Sequence, residues 1–296
     1  MPQDRIGLSC ALSTPFRADG SIDPGRLVRH ARWVVDNGCD SVTVFGTTGE
    51  GASVGLPGRH LTLGALDAAG FDLNRQVIAG VSASAFEDVL EQCRIGLDSG
   101  CRALLLAPPF YFGEPSDEAL YAFFAQLFDR LGPSLRDVIL YHIPGMTKVS
   151  ISVELTRRLA EAYPGAIIGV KDSAGDWAMT ERRLNELKGL QILIGDERQL
   201  ARAVRHGGGG TICGLANVAP DLLRPLAWEG RDDPRVGRMV EAVLTHSFMP
   251  AIKALIAERL GDPAWRVMRA PLSALSAADA RALHAAIQSV RDAKAA

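Results

Sequence analysis

The chain has 296 residues, 47% of them hydrophobic, with a formal net charge of −2. This content supports a sizeable core and argues against disorder, and the scattered charges give no electrostatic case for nucleic acid or an anionic membrane surface. No apolar run reaches the ~18 residues of a membrane span, and Met1-Pro2-Gln3-Asp4-Arg5 lacks the apolar core of a signal peptide.

Apolar and helix-patterned segments alternate from the start. Ile6 to Thr14 is strand-like and ends at Thr14-Pro15. Asp23-Pro24 opens a helix, with aspartate as N-cap and proline at the first helical position, and Asn37-Gly38 closes it. The β-branched run Ser41 to Phe45 leads into Gly46-Thr47-Thr48-Gly49-Glu50. A helix from about Pro57 to Ala69 precedes a strand from Gln76 to Val81, and Ser84 is placed to cap a third helix that ends at Ser99-Gly100.

The unit keeps recurring. The strand Cys101 to Ala107 is followed by a helix from Asp117 to Leu131, and the strand Val138 to Ile143 by a helix that Ser152 caps and that runs to Tyr163. Ala166 to Val170 is a buried strand ending in Lys171, followed by a helix from Ala178 to Lys188. Gln191 to Ile194, Asp196-Glu197, a further helix, the glycine run Gly207 to Gly210 and Thr211-Ile212-Cys213 complete the series.

Eight short apolar strands, each followed by a helix, predict a (β/α)8 TIM barrel over residues 1–232. The rival is an open doubly wound sheet, which would usually carry a Gly-x-Gly-x-x-Gly turn, and none is present. From about Asp233 the pattern is helical only: Pro234 to Leu260, a short piece near Trp265, and Ala277 to Ala293. Residues 233–296 therefore read as a helical extension packed on the barrel, with a small separate domain as the alternative.

The five cysteines, Cys10, Cys39, Cys93, Cys101 and Cys213, are odd in number and far apart. They read as buried reduced thiols and predict a cytoplasmic protein. No Cys-x-x-Cys or His-x-x-x-His pair offers a metal site.

In such a barrel the chemistry sits at the C-terminal ends of the strands. Lys171 ends strand six, where burial penalises an ammonium ion and favours the neutral amine that attacks a ketone. Tyr141 stands near the end of the adjacent strand five, placed to carry protons for a lysine imine. The glycines, hydroxyls and amides of Gly46-Thr47-Thr48-Gly49, on the same rim, suit a carboxylate.

Gly46-Thr47-Thr48-Gly49-Glu50, Tyr141-x-x-Pro144 and Gly169-Val170-Lys171-Asp172-Ser173 resemble the dihydrodipicolinate synthase/N-acetylneuraminate lyase family of class I, pyruvate-handling aldolases. Thr14-Pro15-Phe16, Pro109-Phe110-Tyr111, Gly195-Asp196, Ala216-Asn217-Val218 and Arg269-x-Pro271-Leu272 extend the likeness over essentially the whole chain. The resemblance implies that Lys171 forms a Schiff base with pyruvate or another 2-keto acid, without a cofactor, and that Tyr141 shuttles protons. Thr47 and Thr48 would hold the substrate carboxylate, with Thr47 also relaying protons. Tyr111 would reach a neighbouring subunit's relay, Ile212 would turn its carbonyl to the lysine, and Asp196 would meet substrate hydroxyls. A homotetramer built from dimers is the implied assembly, with pyruvate and an aldehyde as the small-molecule partners.

One departure shapes the expected reaction. Where dihydrodipicolinate synthases carry an arginine for the aspartate semialdehyde carboxylate, this chain has Met146, and a thioether cannot make a bidentate bond to a carboxylate. Lys148 is the other cation at hand, and His142 replaces the more usual asparagine, its side chain pointing away from the barrel interior. The expected activity is therefore aldol cleavage or condensation of a 2-keto-3-deoxy sugar acid or a similar pyruvate–aldehyde adduct. The synthase reaction and a non-catalytic keto-acid binder are the alternatives.

Overall fold

Strand alternation decides which side chains face the barrel interior and which face the helices. The computed structural model describes residues 5–293, so Met1 to Asp4 of the amino-terminal segment lie outside the described residues. Eight parallel strands close in sequence order: β1 (Gly7–Ala11), β2 (Ser41–Val44), β3 (Val77–Val81), β4 (Ala103–Leu106), β5 (Val138–His142), β6 (Ile167–Asp172), β7 (Gln191–Ile194) and β8 (Gly210–Cys213), with β8 pairing back onto β1. Among the described residues, eight helices of six residues or more lie between and directly after them: α1 (Pro24–Asp36), α2 (Leu56–Ala68), α3 (Phe86–Asp98), α4 (Asp117–Leu131), α5 (Val153–Ala162), α6 (Trp177–Glu186), α7 (Leu200–Arg205) and α8 (Pro220–Glu229). The expected (β/α)8 barrel is the fold.

Two apolar layers result. Ile78, Leu105, Ile139, Tyr141, Leu193 and Ile212 fill the interior, whereas Val138, Leu140 and Val170 pack outward against the helices. Both faces are buried, so the strands read as unbroken apolar runs.

β6 breaks the simple alternation once. Val138 pairs with Ile167, but the next residue, Ile139, pairs with Gly169, so Ile168 is an extra residue in β6. Ile168 packs against the interior cluster and Val170 belongs to the outer layer. Without the bulge, strict alternation from Ile168 would turn Lys171 outward; with it, Lys171 faces the interior. Gly169 is needed here because a side chain would collide with the Gln191 carbonyl on β7.

The caps mostly follow the sequence reading. Asp23 accepts from Arg26 N at 3.0 Å and Ser152 from Leu155 N at 2.9 Å. Ser84 is a correction: Ala85 occupies the N-cap position of α3, and the Ser84 hydroxyl is buried without a hydrogen bond.

The single helix expected from Pro234 to Leu260 is two, α9 (Pro234–Leu244) and α10 (Phe248–Leu260), set at 112°. Ser247 stands at the N-cap of α10, which restarts the chain in a new direction. α10 is buried continuously from Pro250 to Ala257, so it is wedged between the barrel and α11 (Ala277–Asp292) rather than lying on a surface. No single helix among the described residues is long and apolar enough to cross a membrane. The five cysteines are free and buried, and burial pushes the Cys93 and Cys101 thiols up to about 12.

Candidate active site

Tyr141 and Lys171 are register partners across β5 and β6. Both point into the barrel, and Lys171 Nζ donates to the Tyr141 hydroxyl at 3.1 Å. On the far side of that hydroxyl lies Thr47 Oγ1, at 3.2 Å. Lysine, tyrosine and threonine thus form a continuous hydrogen-bonded chain from strand six to the loop after strand two. Lys171 is 4% exposed and Tyr141 5%, so the amine and the phenol are shielded from bulk water.

The loop that carries Thr47 is held in an unusual path. Phe45, directly after β2, has φ +60°, and Glu50 has φ +55°. For a residue as bulky as phenylalanine this conformation is a true outlier, which neighbouring structure must enforce. The Phe45 carbonyl turns against Gly51 and Gly80, and a side chain at either glycine would strike it. Arg59 of α2 locks the turn from behind. It donates to Val54 O at 3.1 Å, Gly80 O at 2.6 Å and Gly51 O at 3.2 Å, with its guanidinium 4.7 Å from the Phe45 ring centroid. Three neutral carbonyls replace a carboxylate partner, and burial pushes the Arg59 pKa down to about 10.

Glu50 connects the same loop to the carboxyl-terminal segment. Its buried carboxylate pairs with Lys253 of α10 and accepts from Arg269 N at 3.1 Å. Lys253 also donates to Val267 O at 2.8 Å, and burial pulls its pKa below the ordinary lysine value despite Glu50. The Arg269 guanidinium holds Gly20 O at 2.7 Å and Ser53 O. Sequence reasoning missed Lys253 and Arg59; a lone charge inside an apolar helical run was the available signal for Lys253.

The outer side of β6 is braced as well. Asp172, the residue after Lys171, is buried against Arg183 of α6 at 2.5 Å and accepts from Thr180 at 3.0 Å. Arg183 continues to Ile151 O at 2.5 Å. His142 faces outward, as alternation predicts, and its Nδ1 accepts from Ile151 N at 3.0 Å. Burial, with Arg183 adding to it, pushes His142 down to about 4, so the ring is neutral and the amide bond fixes its tautomer.

A cavity of about 270 Å³ opens from Thr47 and Tyr141 toward the rim and takes in Phe110, Ile143, Met146 and Leu272. The sequence-predicted residues distribute as follows. Thr47 and Tyr141 line this cavity, and Lys171 reaches it through Tyr141. Thr48 is buried on the same loop, its hydroxyl facing Gly214 beyond β8. Ile212 lies in the interior cluster on β8. Tyr111 is 79% exposed, packs edge-on against Phe112, and lies outside the cavity lining. Asp196 caps the turn Glu197–Gln199 and is held by Arg198 at 2.7 Å. Glu197 turns inward: it accepts from Leu215 N at 2.9 Å, and burial raises its pKa. Lys148 is exposed, with Nζ on Gly145 O at 3.2 Å.

Residues 4–290 match the dihydrodipicolinate synthetase family. An uncharacterized DapA-like lyase of Chloroflexus aurantiacus is 33% identical, covering 96% of each chain. A 4-hydroxy-tetrahydrodipicolinate synthase of Rhizobium meliloti is 31% identical over 94% of this chain and 96% of its own. The crystal structure of dihydrodipicolinate synthase from Agrobacterium tumefaciens is 46% identical and superposes with a TM-score of 0.94, covering 97% of this chain and 99% of its own.

Proposed function

The chain belongs to the dihydrodipicolinate synthetase family of class I lyases, and on that premise we propose that Lys171 captures the ketone of pyruvate or another 2-keto acid as an imine. The observation that carries the reading is the Lys171–Tyr141–Thr47 hydrogen-bonded chain. Lys171 adds to the ketone carbon and water leaves, with Tyr141 supplying and recovering the protons and Thr47 passing them on. The iminium acidifies C3, and the Tyr141 phenolate left by the previous step takes the C3 proton to give an enamine. The enamine C3 bonds to an aldehyde carbon, the carbonyl electron pair moves to oxygen, and that oxygen takes a proton from Tyr141. Water then hydrolyses the imine, freeing Lys171 and a 4-hydroxy-2-keto acid; cleavage is the same path reversed. Thr47, Thr48 and the amides of their loop hold the keto-acid carboxylate, and no cofactor takes part in these steps.

Trapping tests this directly. Borohydride added with pyruvate should fix a reduced adduct on Lys171, read by peptide mass spectrometry, and its absence removes the Schiff-base mechanism and leaves a keto-acid binder. The synthase reaction, with aspartate semialdehyde as the aldehyde, is disfavoured here by Met146, which is 57% exposed at the cavity rim and offers no charge. Tyr111, exposed on a single chain, suits the dimer-of-dimers assembly in which it would complete a neighbour's relay. The buried reduced thiols suit a cytoplasmic enzyme.

A further inference from the structure

We infer that the acceptor half of this site takes an aldehyde whose substituent is apolar and uncharged. The inference rests on the imine chemistry proposed for Lys171 and names the partner that the enamine meets.

The cavity wall beyond Tyr141 and Thr47 is built from separate elements, and each contributes an apolar surface. Val81 comes from the end of β3, Phe110 from the loop after β4, and Ile143 and Met146 from the loop after β5. Met249 comes from α10 and Leu272 from the carboxyl-terminal segment. Six side chains brought together from five parts of the chain amount to a shaped apolar subsite rather than a chance apolar residue on a polar wall.

The polar inventory of the same wall points the same way. Among the described residues no lysine, arginine or histidine lines the cavity, and Glu50 is the one carboxylate on its wall. Glu50 is already committed to Lys253 and Arg269 N. Arg59 is turned onto three carbonyls, and Lys148 is exposed on its own turn. The Thr147 hydroxyl is occupied by Ile143 O, Val149 O and Val149 N. Beyond Thr47, Tyr141 and Thr147, the hydroxyls on this wall are those of Ser53 and Ser82. A carboxylate on the acceptor would be desolvated without a cation, and a polyhydroxylated chain would meet two serines among six apolar side chains, leaving most of its hydroxyls desolvated and unpaired. An alkyl or aryl group loses nothing on entry and gains burial. The volume, about 270 Å³, equals the liquid share of about nine waters, enough for such a group beside the keto acid.

The test is a matched panel run with the full-length enzyme and saturating pyruvate. Butanal and succinic semialdehyde have the same carbon skeleton and differ in a terminal carboxylate; benzaldehyde and glyceraldehyde extend the apolar and hydroxylated arms. The expected result is a kcat/KM at least about tenfold higher for butanal and benzaldehyde, with a gain of roughly fourfold for each added methylene in a short alkanal series. Met146→Arg should shift the preference toward succinic semialdehyde by about tenfold or more. Leu272→Asn, which keeps the branched outline of the side chain but makes it polar, should lower benzaldehyde turnover and serves if the arginine variant does not fold. Equal or better use of succinic semialdehyde or glyceraldehyde by the unaltered enzyme, with trapping on Lys171 intact, overturns the apolar acceptor and leaves the imine reading standing. Loss of trapping overturns both.

Discussion

Lys171 and Tyr141 are opposite partners in the β5–β6 register, and their side-chain ends meet at 3.1 Å inside the barrel. In the proposed mechanism, this pairing fixes which phenol serves which amine before any substrate arrives. Tyr141→Phe keeps the ring and its packing but removes the proton carrier between Lys171 and Thr47. We expect kcat to fall by about 10²–10⁴, the ordinary worth of general acid–base help, with pyruvate still trapped on Lys171 at a slower rate. Lys171→Ala should abolish both turnover and trapping. A Tyr141→Phe enzyme with unchanged kcat would show that the proton path lies elsewhere.

Asp172 holds the strand end that Lys171 occupies. Its carboxylate is buried on Arg183, and Arg183 is almost wholly enclosed. Removing one partner leaves the other charge stranded, so Asp172→Ala should cost about 3–5 kcal/mol in urea unfolding. Asp172→Asn keeps the shape and its bond from Thr180. It should recover part of that stability while trapping by pyruvate stays slower than in the parent, because the bracing of β6 is weaker.

Much of this arrangement was legible in the sequence, and the failures have physical causes. The strand count and the barrel follow from apolar runs punctuated by turn residues. The inward direction of Lys171 does not follow from counting, because the β6 bulge at Ile168 shifts the alternation by one residue. The break between α9 and α10 was missed because an apolar pattern continues on both sides of Thr245-His246-Ser247, although Pro250, three residues after the capping Ser247, was the available signal of a new helix start. Ser84 had the right chemistry for a cap one residue too early. Lys253 could not be paired with Glu50 across two hundred residues of sequence, since only the folded barrel brings them together.

That Glu50–Lys253 pair is the join between the catalytic loop and the carboxyl-terminal helices. Lys253→Met strands a buried carboxylate beneath Thr47 and Thr48, and should lower stability by about 3–5 kcal/mol. Replacing both, Glu50→Gln with Lys253→Met, should restore much of the loss, since neither side chain then carries an uncompensated charge. Urea midpoints of the two single variants and the double variant give the coupling. If the losses simply add, the pair has no role in seating the loop.

The pH dependence of stability should be set partly by His30, far from the chemistry. Asn217 donates through Nδ2 to Ala11 O at 2.8 Å and Gly214 O at 2.9 Å, so its Oδ1 faces His30 and accepts from Nε2 at 2.9 Å. Nδ1 is left as an acceptor for Arg259, at 3.3 Å. A proton on Nδ1 would be buried and would face a guanidinium. Burial accordingly pushes His30 down to about 4, with Arg259 adding to it. The unfolded chain, with histidine near ~6.5, therefore binds more protons than the folded one between those values. The stabilisation is present in full above ~6.5 and is lost as pH falls toward 4, by about 3 kcal/mol for this one group. His142, also pushed down to about 4, acts in the same direction. Urea midpoints measured from pH 7 to 4.5 should fall steadily in the parent and more shallowly in His30→Gln, which keeps a side-chain donor for Asn217 and cannot take up a proton. An identical slope in the two proteins would remove His30 as the source.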